Sequence, residues 1–186
     1  MVTMVWLVTG GLILIALIAW VVGIYNLLIT LKNNVARAWS NIEVLLKQRF
    51  DELPKLVEVC KAYMKYEQET LEKVIRLRSV VSGAQGMGER IAAENNLAGA
   101  LKSLFAVAEN YPDLKADQNF AQLRQRISAL ENEIADRREF YNESVNIYNI
   151  KIAQIPEVFL AGPLGYQPQP LFNIPEAERE SPVLTF

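Results

Sequence analysis

The apolar positions change their period along the chain, and each period predicts an element. Met1 to Leu31 carries no formal charge, and Lys32 is the first. Within it Val5 to Leu28 is almost wholly apolar, with fourteen positions Val, Leu or Ile. A helix that crosses a bilayer needs about 20 such residues. Each Val, Leu or Ile near the centre favours insertion by roughly 0.3–0.6 kcal/mol. No buried charge opposes them. A cleaved leader would need a basic start, a shorter apolar core and small residues at the cut. Here the start is uncharged, and Gly23-Ile24-Tyr25-Asn26 follows. The run is therefore expected to stay as a transmembrane anchor over residues 1–31.

Beyond the anchor, Leu28, Leu31, Val35, Ala38, Ile42 and Leu45 recur at alternating steps of three and four. That spacing puts them on one face of a helix that packs on others. The stripe resumes at Leu53, Leu56, Cys60, Tyr63, Leu71, Val74 and Val81, which predicts one stiff helix to about Val81. Pro54 lies inside it, removes a backbone donor and predicts a kink or break. Three glycines between Ser82 and Gly88 mark a connection. A helix over 89–110 follows, facing inward with Leu97, Leu101, Leu104, Phe105 and Ala108, and ends at Tyr111-Pro112-Asp113.

The third long helix is predicted from Asn119, with Asn119 and Gln122 as a capping box. Phe120, Ile127, Ile134, Tyr141, Tyr148 and Ile155 repeat every seven residues, a pattern of lengthwise helix packing. Pro156, Pro163, Pro168, Pro170 and Pro175 then forbid another long helix. Phe159, Leu164, Tyr166, Leu171 and Phe172 predict an extended tail lying on the bundle. The fold class is thus all-α: an anchor (1–31), an antiparallel bundle with packed tail (32–172) and a loose end (173–186). A single helix over 32–81 would span roughly 75 Å against about 33 Å for 89–110. That mismatch leaves a seam for the kinked half, the tail or a second copy, and it is the reason to expect a homo-oligomer.

Composition narrows the chemistry. The 186 residues carry 19 basic and 21 acidic side chains and no histidine. There is no basic excess of the kind nucleic-acid binders show, so no nucleic-acid partner is expected. Without histidine the usual proton shuttle and commonest metal ligand are missing. Cys60, the only cysteine, falls on an apolar stripe and reads as a buried small hydrophobe. Acids such as Glu69 and Glu72 stand four residues before Lys73 and Arg76, a pattern of solvated helix faces. Glu131 with Glu133 reads the same way. No catalytic residue, cofactor or metal site is assigned.

The remaining candidates concern membrane and packing. Trp6, Trp20 and Tyr25 are candidate interfacial aromatics. Lys32 and Arg37 follow the span while no cation precedes it, which predicts an outside N-terminus and a cytoplasmic bundle at the cell (inner) membrane. Trp39, Pro54, Tyr141 and Tyr148 are candidate packing positions. Arg137 falls on a seam of the third helix beside Arg138. It either reaches out to solvent or pairs with an acid of the first helix and fixes register.

The same residues carry a family resemblance. Arg37-Ala-Trp-Ser-Asn-Ile-Glu-Val44, Lys47-Gln-Arg-Phe-Asp-Glu-Leu-Pro-Lys-Leu-Val57, Ala93-Glu-Asn-Asn-Leu97 and Tyr111-Pro-Asp-Leu-Lys115 are similar to stretches of the bacterial LemA proteins. So are Tyr25-Asn26, Asn119-Phe120, Arg137-Arg138 with Tyr141-Asn142, Tyr148-Asn149 and Ile155-Pro156. The similarity covers nearly all of the chain beyond residue 24. It departs at Ile155 and Tyr166, where the family usually has Phe. The resemblance implies an anchor and an antiparallel helical bundle, and no settled activity. Some relatives are associated with magnetosome membranes and others are encoded near membrane metallopeptidases. The expected function is a membrane-anchored, non-enzymatic scaffold or interaction protein that self-associates. The alternative is an accessory or sensor subunit of a membrane protease or signalling complex.

Overall fold

A computed structural model describes residues 1–173, and those residues contain helices and no strand. Helix α1 runs Val2–Tyr63, α2 Gln68–Gly83, α3 Met87–Ala108, α4 Pro112–Ala116, α5 Gln118–Ala153 and α6 Val158–Ala161. The chain divides into two units. One joins Met1–Trp39 to Tyr141–Leu171, and the other is Ser40–Phe140 with the chain from Phe172 onward. The loose end expected over 173–186 lies, from residue 174, outside the described residues.

In the second unit the first long helix is shorter than its stripe suggests. Pro54 does not break it: α1 passes through Pro54 to Tyr63 and stops at 64–67. There the stripe has a gap. Between Met64 and Leu71 the only large apolar side chain is Tyr66, which is 93% exposed. With nothing to bury, this stretch turns. Arg78 then meets Phe50, with the guanidinium 3.9 Å from the ring centroid. Both residues lie fourteen positions from Met64, so α2 folds back antiparallel on α1. The expected continuous helix to Val81 is thereby corrected to a hairpin. Its second arm covers the seam that the length mismatch had left for a second copy.

Helix α3 follows through Ala84-Gln85-Gly86, where the Gln85 N–H donates to Glu89 Oε2 at 3.1 Å. Glu109 meets Arg124 at 2.7 Å and Tyr63 Oη donates to Asp117 at 3.0 Å. The Phe120 N–H donates to Asp117 Oδ1 at 3.0 Å. Asp117, not Asn119, is therefore the cap of α5. Short polar residues crowd this helix start, and the one whose amide-facing oxygen is in reach takes the role. The core of this unit is mostly aliphatic, built on Leu53, Leu56, Cys60, Val74, Leu97, Leu101, Leu104 and Ile127 with Phe120 among them.

Candidate functional site

Three arrangements stand out among the described residues, and each is built from residues of one unit. The first is the start of α1. Met1 to Trp20 is exposed throughout, with Trp6 at 72% and Trp20 at 55%. Ile24 is the first buried residue, and Leu28, Val35 and Ala38 follow on the same face. Val2 to Val22 is about 31 Å of helix, against a hydrocarbon core of about 30 Å. This helix is long and apolar enough to cross a membrane. Formal charge begins at Lys32, but burial against protein begins at Ile24.

The second arrangement straps the tail to α5 beside α1. Trp39 packs on Tyr141 with ring centroids 5.6 Å apart. Lys32 Nζ sits 5.5 Å from the Tyr166 ring centroid, while Arg37 is exposed. Tyr148 Oη donates to the Gln167 carbonyl at 3.0 Å and Tyr141 Oη to the Pro170 carbonyl at 2.9 Å. Asn149 Nδ2 donates to the Gln169 carbonyl, and the Gln169 N–H returns a bond to Asn149 Oδ1 at 2.8 Å. Burial pushes the Tyr141 phenol up to about 12. The tail is extended here, as its prolines predict. One short helix, α6, and a turn through Gly165 at φ +72° precede it. A positive φ favours Gly.

The third arrangement is a buried ion cluster that the sequence reading missed. Arg49 is fully buried. Its Nη2 pairs with Glu94, itself 2% exposed, and its Nη1 with Glu131 at 2.5 Å. Arg90 reaches the other Glu94 oxygen at 3.5 Å. Two cations thus face two carboxylates, and one guanidinium ties α1, α3 and α5 together. The reading of Glu131 as a solvated acid is corrected. Of the two alternatives for Arg137, the structure shows the solvent-facing one, since it is exposed on α5. A buried pin of the expected kind does exist, through Arg49. The clue was periodicity: Ile42, Leu46, Arg49, Leu53, Leu56 and Cys60 step by three and four without a gap. Leu46, rather than Leu45, holds the core position.

The other candidates have plainer surroundings. Arg138 lies with its guanidinium 4.1 Å from the ring centroid of the buried Phe172. Pro54 is exposed beside a groove lined by Leu53, Val57, Val74, Ile75 and Arg78. Cys60 is fully buried, and desolvation pushes its thiol up to about 12, which removes thiolate at neutral pH. Among the described residues no group of three or more Cys, Asp or Glu is placed to hold a metal ion.

The chain is similar in sequence to known proteins. The chain is 31% identical to Protein LemA of Metamycoplasma hominis over 162 residues, covering 85% of this chain and 73% of that one. It is 24% identical to Magnetosome protein MamQ 2 of Paramagnetospirillum magneticum over 205 residues, covering 96% and 75%. Magnetosome protein MamQ of Magnetospirillum gryphiswaldense is 22% identical over 198 residues, covering 92% and 72%. With the LemA family model matching residues 38–186, on top of these relatives, the chain belongs to the LemA family.

Proposed function

We propose that this chain is a single-pass, membrane-anchored scaffold or interaction protein without enzymatic activity. The observation that carries the reading is the exposed apolar start of α1, of bilayer length, on the same helix that supplies Arg49 and Leu53 to the bundle. Its charged side chains support the non-enzymatic part: the buried ones are consumed in pairs, and the single thiol is sealed in an apolar core. In this reading the bilayer is the first partner, the N-terminus lies outside the inner membrane and the bundle is cytoplasmic, on the asymmetry of Lys32 and Arg37. The chain also self-associates. Ile147 and Ile150, exposed at 45% and 47% on α5, are the apolar surface that supports this, now that α2 covers the α1 seam.

Light scattering in mild detergent tests the proposal. The expected protein mass is a multiple of 21.0 kDa. A monodisperse single chain, freely soluble without detergent, would overturn the anchor and the self-association together. For orientation, Thr3→Cys should react with an impermeant thiol reagent on intact cells, and Val44→Cys should not. The reverse pattern overturns it. A different protein copurifying in fixed ratio from native membranes would replace the scaffold with an accessory-subunit reading; the magnetosome names of two relatives suit either outcome.

A further inference from the structure

The turn after α5 offers a second surface at the level where α1 leaves the protein. Register within the first unit fixes that level. Trp39 packs on Tyr141, whose hydroxyl holds Pro170. Seven residues nearer the N-terminus, Lys32 meets Tyr166, next to the Gln167 carbonyl that Tyr148 holds. Seven residues down α1 therefore match seven residues up α5, and the two helices run antiparallel. Five residues further, about 7.5 Å, α5 ends at Ala153 at the level of Leu27, and the turn that begins with Ile155 follows it toward Tyr25. That is where the buried face of α1 begins and its fully exposed apolar run is about to start.

The side chains there are unlike a solvated turn. Ile155 is 77% exposed, Phe159 70%, Leu164 49% and Val158 38%. Between Lys151 and Asn173 the only charged residue is Glu157. Glu157 is 5% exposed and turned back onto Lys151 Nζ at 3.0 Å, so the turn shows its apolar residues outward and keeps its charge inward. Exposed apolar side chains of one turn next to a span find matching chemistry in the acyl-headgroup boundary of the same bilayer.

We propose that the turn over residues 155–164 inserts Ile155 and Phe159 into the bilayer interface, giving the protein a second membrane contact beside its anchor. The inference rests on α1 crossing the membrane. Two contacts at one level would hold the first unit against the lipid surface rather than let it pivot on one helix.

Single-cysteine labelling of the full chain in phosphatidylcholine nanodiscs tests it. A polarity-sensitive fluorophore is placed by Leu14→Cys, Ile155→Cys, Phe159→Cys and Arg37→Cys in turn, and lipids carry nitroxides at shallow or deep positions. Cys60 is buried, and the unsubstituted chain, which should take no label, controls for it. The expected result is deep quenching at Leu14, shallow quenching with a blue shift at Ile155 and Phe159, and neither at Arg37, about 22 Å beyond Val22 along α1. Emission at Ile155 and Phe159 matching Arg37, with Leu14 still quenched, overturns this proposal and spares the span. A blue shift without nitroxide quenching puts protein on the turn and overturns it as well. An unquenched Leu14 overturns the span, and this proposal with it.

Discussion

The tail strap of one unit and the Arg49 cluster of the other are held by different kinds of polar contact, although both units are built around α1 and α5. In the unit of Met1–Trp39 and Tyr141–Leu171, the tail is held by neutral donors, the hydroxyls of Tyr141 and Tyr148 and the amide of Asn149. The reason lies in the tail. Pro168 and Pro170 have no N–H, so the hydrogen-bonding capacity of that extended segment is mostly carbonyl. Hydroxyl and amide donors on α5 answer it without burying a charge. In the other unit a buried guanidinium shared by two carboxylates joins three helices. A neutral strap costs little when one bond is lost. A buried ion cluster is costly to break and fixes which helix faces meet.

The sharpest way to break that contrast is at Arg49. Arg49→Met leaves Glu94 buried and short of its partner, and should cost about 3–5 kcal/mol, measured by chemical denaturation in mild detergent. Hydrogen exchange should accelerate within Ser40–Phe140 and spare the tail strap. The triple variant Arg49→Met, Glu94→Leu, Glu131→Leu should recover most of that loss, because replacing a buried charge together with both its partners by apolar residues is often neutral, and Arg90, the remaining member, is 29% exposed and can turn to solvent. If the triple variant is as unstable as the single one, the cluster does more than balance charge.

Smaller effects are expected from the strap. Asn149→Ala removes both bonds to Gln169 and should cost about 1–2 kcal/mol, with faster exchange at the Gln169 amide. Tyr148→Phe removes one hydroxyl bond and should cost about 1 kcal/mol in the same assay. A loss at either site as large as that of Arg49→Met would erase the difference between the units. The smallest effect is at the α5 cap. The Phe120 amide, and then the Tyr63 hydroxyl, hold the Asp117 carboxyl below its ordinary value. A depressed carboxyl stabilises the native state above the unfolded value, ~3.9, and that contribution is lost as pH falls through the lower native value. The Phe120 amide proton shift should therefore titrate only at pH below the ordinary aspartate range, and Asp117→Ala should abolish the titration.

Much of this architecture is readable in the residues. The uncharged run to Leu31, the three-four stripes, the sevens from Phe120 to Tyr148 and the prolines of the tail each favour one conformation of the backbone, and each appears. Ile155, the last of the sevens, lies past the end of α5, and Phe159, Leu164 and Leu171 turn outward instead of onto the bundle. Residues 64–67 were harder. Bridging Tyr63 to Leu71 as one stripe hides the absence of a buried residue between Met64 and Leu71, and that absence lets α2 fold back. Arg49 was hidden for a related reason. A charge in a sequence is assigned to the surface by default, and only its place in the steps from Ile42 to Cys60 argues otherwise. Arg137 is the opposite case: it holds a seam position in the repeat and takes the solvent-facing alternative, because register on its own does not say which faces find partners.

The first unit unites two stretches far apart in the polypeptide, and this bears on synthesis. Leu28, Val35 and Ala38 emerge from the ribosome early, but the segment Tyr141–Leu171 that completes their unit is made more than a hundred residues later. A product terminated anywhere before the strap is complete leaves this apolar face bare beside the bilayer. Such fragments would carry their own mark for disposal by quality-control proteases, and only chains translated through Leu171 can hide it.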